Sequence, residues 1–167
     1  MTTKYEELLK LHSINYRIFM NFRNKSANIF NYFLGGLPTF LGCDNDYIRP
    51  TNVKHTSKYM QNLLNPVIEM EPIRDLMFFD DYDDSWNLKI LIDINENMNH
   101  KILIIPIKTI ETETEKYLIG FVDIKDKFEI DYELISEPNH FEQIYNFIYD
   151  SIINNSKKSK FKLGFQI

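Results

Sequence analysis

The chain of 167 residues contains one cysteine, Cys43, one tryptophan, Trp86, five glycines and four histidines, and each scarcity removes a class of protein. A single cysteine excludes an internal disulfide and any cysteine-rich zinc site, and it suits a reducing compartment. His12, His55, His100 and His140 never fall at the i, i+2 or i, i+4 spacing that aims two imidazoles at one metal, so no zinc motif exists and no metal is expected. There is no glycine-rich phosphate loop, no Gly-x-Ser-x-Gly elbow and no kinase signature. The longest aliphatic run, Ile102 to Ile107, is about a third of the roughly 20 residues a membrane span needs. The start, MTTKYEELLK, lacks the apolar core of a signal peptide. These absences lead to the expectation of a soluble, cytoplasmic protein with no cofactor and no membrane partner.

What is present is apolar mass and acid. Hydrophobic residues make up 44% and charged residues 26%, close to globular averages, so disorder is excluded and one domain, residues 1 to 167, is expected at this length. The net charge of −5 argues against direct binding to nucleic acid. That charge is unevenly spread: residues 1 to 79 carry +2, residues 80 to 150 carry 6 basic against 17 acidic side chains, and residues 151 to 167 add four lysines. With a Debye length of about 8 Å in physiological salt, a net of −11 in the middle stretch is not averaged away by a distant basic tail.

The order of elements follows from periodicity. Thr3 and Glu6 form a capping box, and Leu8, Leu11, Ile18, Phe22, Ile29 and Phe33 then recur at helical spacing until Gly35 and Gly36. This predicts an N-terminal helix over residues 1–34. At 1.5 Å per residue it would be about 46 Å long, and a break near Asn24 to Ser26 would bring it to a more usual length. Residues 35–85 are interrupted by Pro38, Pro50, Pro66 and Pro72 and read as irregular, with brief helices around Ser57 to Leu64 and Ile73 to Phe79. From Trp86 the period becomes two, giving strands at Trp86 to Asn95, Ile102 to Ile107, Tyr117 to Ile124 and Phe128 to Leu134. Pro106 requires an irregular or unpaired position, and Gly120 suggests a bulge or a close backbone approach. Ser136 and Pro138 open a second helix with the stripe Phe141, Ile144, Tyr145, Ile148 and Ile152, and a last strand runs from Phe161 to Ile167. The fold class is therefore α+β: a mainly antiparallel sheet of about four to six strands carrying an N-terminal and a C-terminal helix.

Ile105-Pro106-Ile107, followed by Leu118-Ile119-Gly120-Phe121-Val122-Asp123-Ile124, an aromatic at Phe128 and a terminal helix, makes residues 100–153 resemble the second half of a GAF domain. The resemblance implies a central antiparallel sheet flanked by helices, with a small-molecule pocket or a dimerisation surface, so a homodimer is compatible with it. Thiol enzymes of that family carry several cysteines, and this chain has only Cys43.

The chemistry-bearing clusters are acidic. Asp80, Asp81, Asp83 and Asp84 surround Tyr82, preceded by Phe78 and Phe79 and followed by Trp86. Carboxylates so close could hold Mg²⁺ or Ca²⁺, but the alternating donors, central glycine and distal glutamate of a calcium loop are missing. The competing readings are a solvated loop and a docking element, in which rings supply buried contact and carboxylates meet Arg or Lys of a partner. Glu129, Asp131 and Glu133 lie two apart on an expected strand face, at about 6.6 to 7 Å spacing, which would approximate the phosphates of a nucleic-acid strand. Cys43 could act as a nucleophile only if a group such as His55 lowered its pKa against Asp44 and Asp46. Lys157, Lys158, Lys160 and Lys162 read as guards of an edge strand. The resulting expectation is a non-enzymatic, inhibitor or immunity-type protein that docks on a basic protein partner, including a nucleic-acid-binding one. The alternatives are a GAF-like regulatory domain and an unmarked enzyme using Cys43 or a carboxylate pair.

Overall fold

The computed structural model describes residues 3–51, 72–96, 99–112, 114, 116–121 and 124–158. It is an α+β fold in which two helices lie on one face of an antiparallel sheet. Helix α1 (Lys4–Leu41) leads into β1 (Ile48–Thr51). A single helical turn, α2 (Ile73–Leu76), precedes β2 (Phe78–Asp80), β3 (Ser85–Glu96), β4 (Asn99–Glu111), β5 (Tyr117–Phe121) and β6 (Lys127–Ile130), and α3 (Glu142–Lys158) follows. The strands order as β1-β3-β4-β5-β6, with β2 pairing β3 on the side that β1 also occupies.

The capping box forms as the sequence requires: the Thr3 amide donates to Glu6 Oε2 at 2.7 Å and the Glu6 amide donates to Thr3 Oγ1 at 3.2 Å. The helix does not stop at Leu34. It runs unbroken for 38 residues, about 57 Å, through Asn24 to Ser26, both glycines and Pro38. Ser26 is no breaking point because it faces the sheet, fully buried, and accepts a hydrogen bond from the Thr109 hydroxyl at 2.7 Å. Gly36 serves close approach rather than termination, since a Cβ there would stand 2.5 Å from Tyr145 Oη of α3. Pro38 is one turn from the end, where the helix closes on Gly42 in the left-handed conformation at φ 68°.

Even-numbered residues of β3 and odd-numbered residues of β4 and β5 face the helices, so Leu88, Ile90, Leu103, Ile105, Ile107 and Ile119 meet Ile29, Phe30, Phe33 and Leu37 of α1 and Phe141, Ile144, Tyr145 and Ile148 of α3 in one core. The Tyr145 hydroxyl donates to the Phe33 carbonyl at 2.7 Å, and its burial holds the phenol far above its ordinary pKa. On the other face Gly120 pairs regularly between Lys108 and Lys127. It neither bulges nor admits a backbone; the stems of those lysines fill the space beside it.

Three further expectations are corrected. Ile73 to Phe79 is not one helix, because the turn α2 ends at Leu76 and Phe78 already pairs with Asn87 as strand. Phe128 to Leu134 is not one strand: β6 stops at Ile130, and Tyr132–Leu134 form a 3-10 turn that Asp131 caps by accepting from the Glu133 amide at 3.0 Å. The second helix starts at Glu142 rather than at Ser136, and it reaches Lys158, so Lys157 and Lys158 lie at a helix end. The brief helix expected at Ser57 to Leu64, the strand expected at Phe161 to Ile167, and Lys160 and Lys162 lie outside the described residues. No described helix is long and apolar enough to cross a membrane.

Candidate functional site

The acidic aromatic stretch folds as the β2–β3 hairpin. Phe78 pairs with Asn87, Phe79 with Trp86 and Asp80 with Ser85, and residues Asp81 to Asp84 form the connecting turn. Asp84 adopts φ 49°, the left-handed region that a short polar side chain tolerates. The Tyr82 amide donates to Asp80 Oδ1 at 3.0 Å, which folds the turn back on its own strand.

Besides Asp80, which holds the turn through the Tyr82 amide, Asp83 is committed to the fold. Asp83 accepts from the Ser85 hydroxyl and from the Lys108 ammonium, and Asn87 Nδ2 in turn donates to Ser85 Oγ at 2.8 Å. Burial acts to raise the Asp83 carboxyl, but the hydrogen bonds from Lys108 and Ser85 prevail and hold it below its ordinary value. Asp81 and Asp84 are exposed, Asp80 is half-buried, and Tyr82 is 97% exposed. The tip is thus a projecting phenol among three carboxylates.

The aromatic flanks do not project. Trp86 is 5% exposed, and its ring packs against Phe79 at 5.2 Å and Phe19 of α1 at 5.2 Å, with the Arg23 guanidinium 5.6 Å over it. Phe78 and Phe79 are half-buried. Phe79 and Trp86, expected to supply contact, instead anchor the hairpin to α1, while Phe78 pairs with Asn87 on the opposite face; Arg23 extends the anchor to α2 by donating to the Arg74 carbonyl at 2.9 Å. Phe19 and Lys108 were not among the candidates; their partners stand far along the chain, and no local pattern links them.

Beside the hairpin, where α1 leaves the sheet, lies a groove of about 660 Å³. Ile18, Phe19, Phe22 and Phe79 line it along with Asp84 and Glu111. Glu111 is held in place by the Tyr117 hydroxyl, which donates to it at 2.6 Å.

Glu129, Asp131 and Glu133 are not a continuous row. Glu129 on β6 accepts from Lys116 Nζ at 2.6 Å, Asp131 caps the turn, and Glu133 sits within it. The regular spacing that would have matched nucleic-acid phosphates ends with the strand.

Cys43 lies elsewhere, half-buried in an apolar pocket of about 380 Å³ with Leu41, Tyr47, Ile92, Tyr149 and Ile152. Burial and the charge of Asp44 both raise its thiol pKa, the opposite of what a nucleophile needs. His55 is outside the described residues. Among the described residues no group of three or more His, Cys, Asp or Glu side chains could hold a metal ion. No family model, curated protein or solved structure matches the chain.

Proposed function

We propose that the protein is a non-enzymatic binding module that docks on a basic protein surface and inhibits or regulates it through the β2–β3 turn. The observation that carries this reading is Tyr82, 97% exposed between carboxylates on a hairpin whose base is locked to α1. An exposed ring on a rigid mount binds at small entropic cost, and the surrounding Asp80, Asp81 and Asp84 attract Arg or Lys and set the orientation. The raised thiol pKa of Cys43 weighs against the enzymatic alternative.

The test is retention of partners from the native host's lysate on immobilised protein at low and high salt. Asp80→Lys, Asp81→Lys and Asp84→Lys together, with or without Tyr82→Ala, should abolish retention of a basic protein, while Asp83 is left intact because it supports the fold. Retention unchanged by the triple reversal rejects the proposal. A second reading, a GAF-like domain that holds a small molecule, is favoured by the apolar pocket at Cys43, which lies between residues 41 to 47, β3 and α3. Native mass spectrometry showing a bound molecule, lost on Ile152→Trp, would support it.

A further inference from the structure

The apolar stripe of α1 does not end where the sheet does. At 100° per residue, Leu8, Leu11, Asn15, Ile18 and Phe19 fall on the same helix face as Phe22, Ser26, Ile29 and Phe33, which are buried against the sheet and α3. Yet Leu8 is 63%, Leu11 57% and Ile18 59% exposed, and Tyr5 and Tyr16 beside them are exposed as well. Residues 4 to 21 therefore form an overhang about 27 Å long with its apolar face towards the space beyond the sheet.

We propose that this overhang pairs antiparallel with the overhang of a second copy of the chain, forming a two-fold symmetric dimer. Laid over its whole length, such a pair brings Leu8 of one protomer opposite Ile18 of its partner and Leu11 opposite Asn15. Each tip then reaches the groove at the root of the other helix, with Lys4 opposite Phe22. Charges of both signs meet at each end of the pair: the tip carries Lys4, Glu6 and Glu7, and the groove carries Lys25, Asp84 and Glu111. The area supports the pairing. Six exposed side chains, Tyr5, Leu8, Leu11, Tyr16, Ile18 and Phe19, at roughly 100 Å² each bury about 1,200 Å² over the two copies, the lower bound for a stable interface. The dimer occupies the groove floor, Asp84 included, and leaves Asp80, Asp81 and Tyr82 uncommitted, so its test rests on α1 substitutions that leave the docking turn untouched.

The test is sedimentation velocity of the full chain from about 1 to 200 µM in physiological salt. The expected result is a concentration-dependent rise from 20.0 kDa to twice that mass. Leu8→Glu, Leu11→Glu and Ile18→Glu together should remove the rise with the circular dichroism of the folded protein retained, because all three positions are exposed in one copy. Orientation is read separately in a Cys43→Ser background: His12→Cys should oxidise to a covalent dimer, while Tyr5→Cys, whose two copies would stand about 24 Å apart, should not. A monomer at every concentration, a dimer that survives the triple substitution, or equal oxidation at both positions would overturn the proposal.

Discussion

The two halves of α1 obey the same sequence rule and meet different fates. From Phe22 onward the apolar stripe is buried, and from Lys4 to Asn21 the same stripe is open. Periodicity states which face of a helix seeks cover; it does not state where the cover ends. The sheet, β3 and β4 above all, sets that boundary, because its helix-side residues end at Trp86 on β3 and Glu111 on β4.

Truncating one residue in each half sharpens the contrast most. Phe33→Ala removes a ring packed at 5.5 Å on Phe141 and 5.2 Å on Tyr145, and urea denaturation should show a loss of about 3–5 kcal/mol. Leu11→Ala, measured at a concentration where one copy stands alone, should stay within about 0.5 kcal/mol. Equal losses would erase the distinction between the halves.

The paired glycines make a finer version within the covered half. Gly36→Ala places a methyl against Tyr145 Oη and should cost about 1–3 kcal/mol, whereas Gly35→Ala meets nothing within 4 Å and should stabilise by about 0.5–1 kcal/mol. Thermal melts of the two variants should therefore move in opposite directions.

Asp83 offers the same comparison within one turn. Its folded carboxyl lies below the ordinary value, so the stability it supplies is present above the unfolded pKa, near 4, and is lost as pH falls through the lower folded value. Asp83→Asn should cost about 1–2 kcal/mol at pH 7, and the gap to the parent should close on acidification below pH 4. Asp81→Asn, at an exposed position, should stay within about 0.5 kcal/mol of the parent at pH 7. The smallest effect belongs to the tip: Thr3→Ala should fray the first turn, seen as faster amide exchange, with global stability nearly unchanged because that turn lies in the overhang.

The fold class, the antiparallel meander through β3 to β5 and the capping box were legible because each rests on local periodicity or a three-residue spacing. Gly35, Gly36 and Pro38 misled about the end of α1, since Gly36 accommodates Tyr145, more than a hundred residues away, and Pro38 falls in the last turn of the helix. At the candidate site, composition marked the acidic aromatic stretch but neither its pairing as a hairpin nor the roles within it. Trp86 and Phe79 turned inward because α1 presents Phe19 to them, and Asp83 was spent on Lys108, a cross-strand neighbour that no linear pattern reveals. The row Glu129, Asp131, Glu133 alternates like a strand, yet Asp131 bonds its own backbone and ends the strand first.

The hydrogen bond from Tyr145 to the Phe33 carbonyl joins residues 112 apart, and this has a consequence during synthesis. Helix α1 can form within microseconds of leaving the ribosome, but the strands and α3 that cover it are made afterwards. At about 5–20 residues per second, its covered half waits on the order of 5–20 s with Ile29, Phe30, Phe33 and Leu37 open to water. For that interval the whole length of α1 is as exposed as its overhang remains, so a nascent chain displays a continuous apolar stripe about 57 Å long to chaperones and to neighbouring nascent copies of itself.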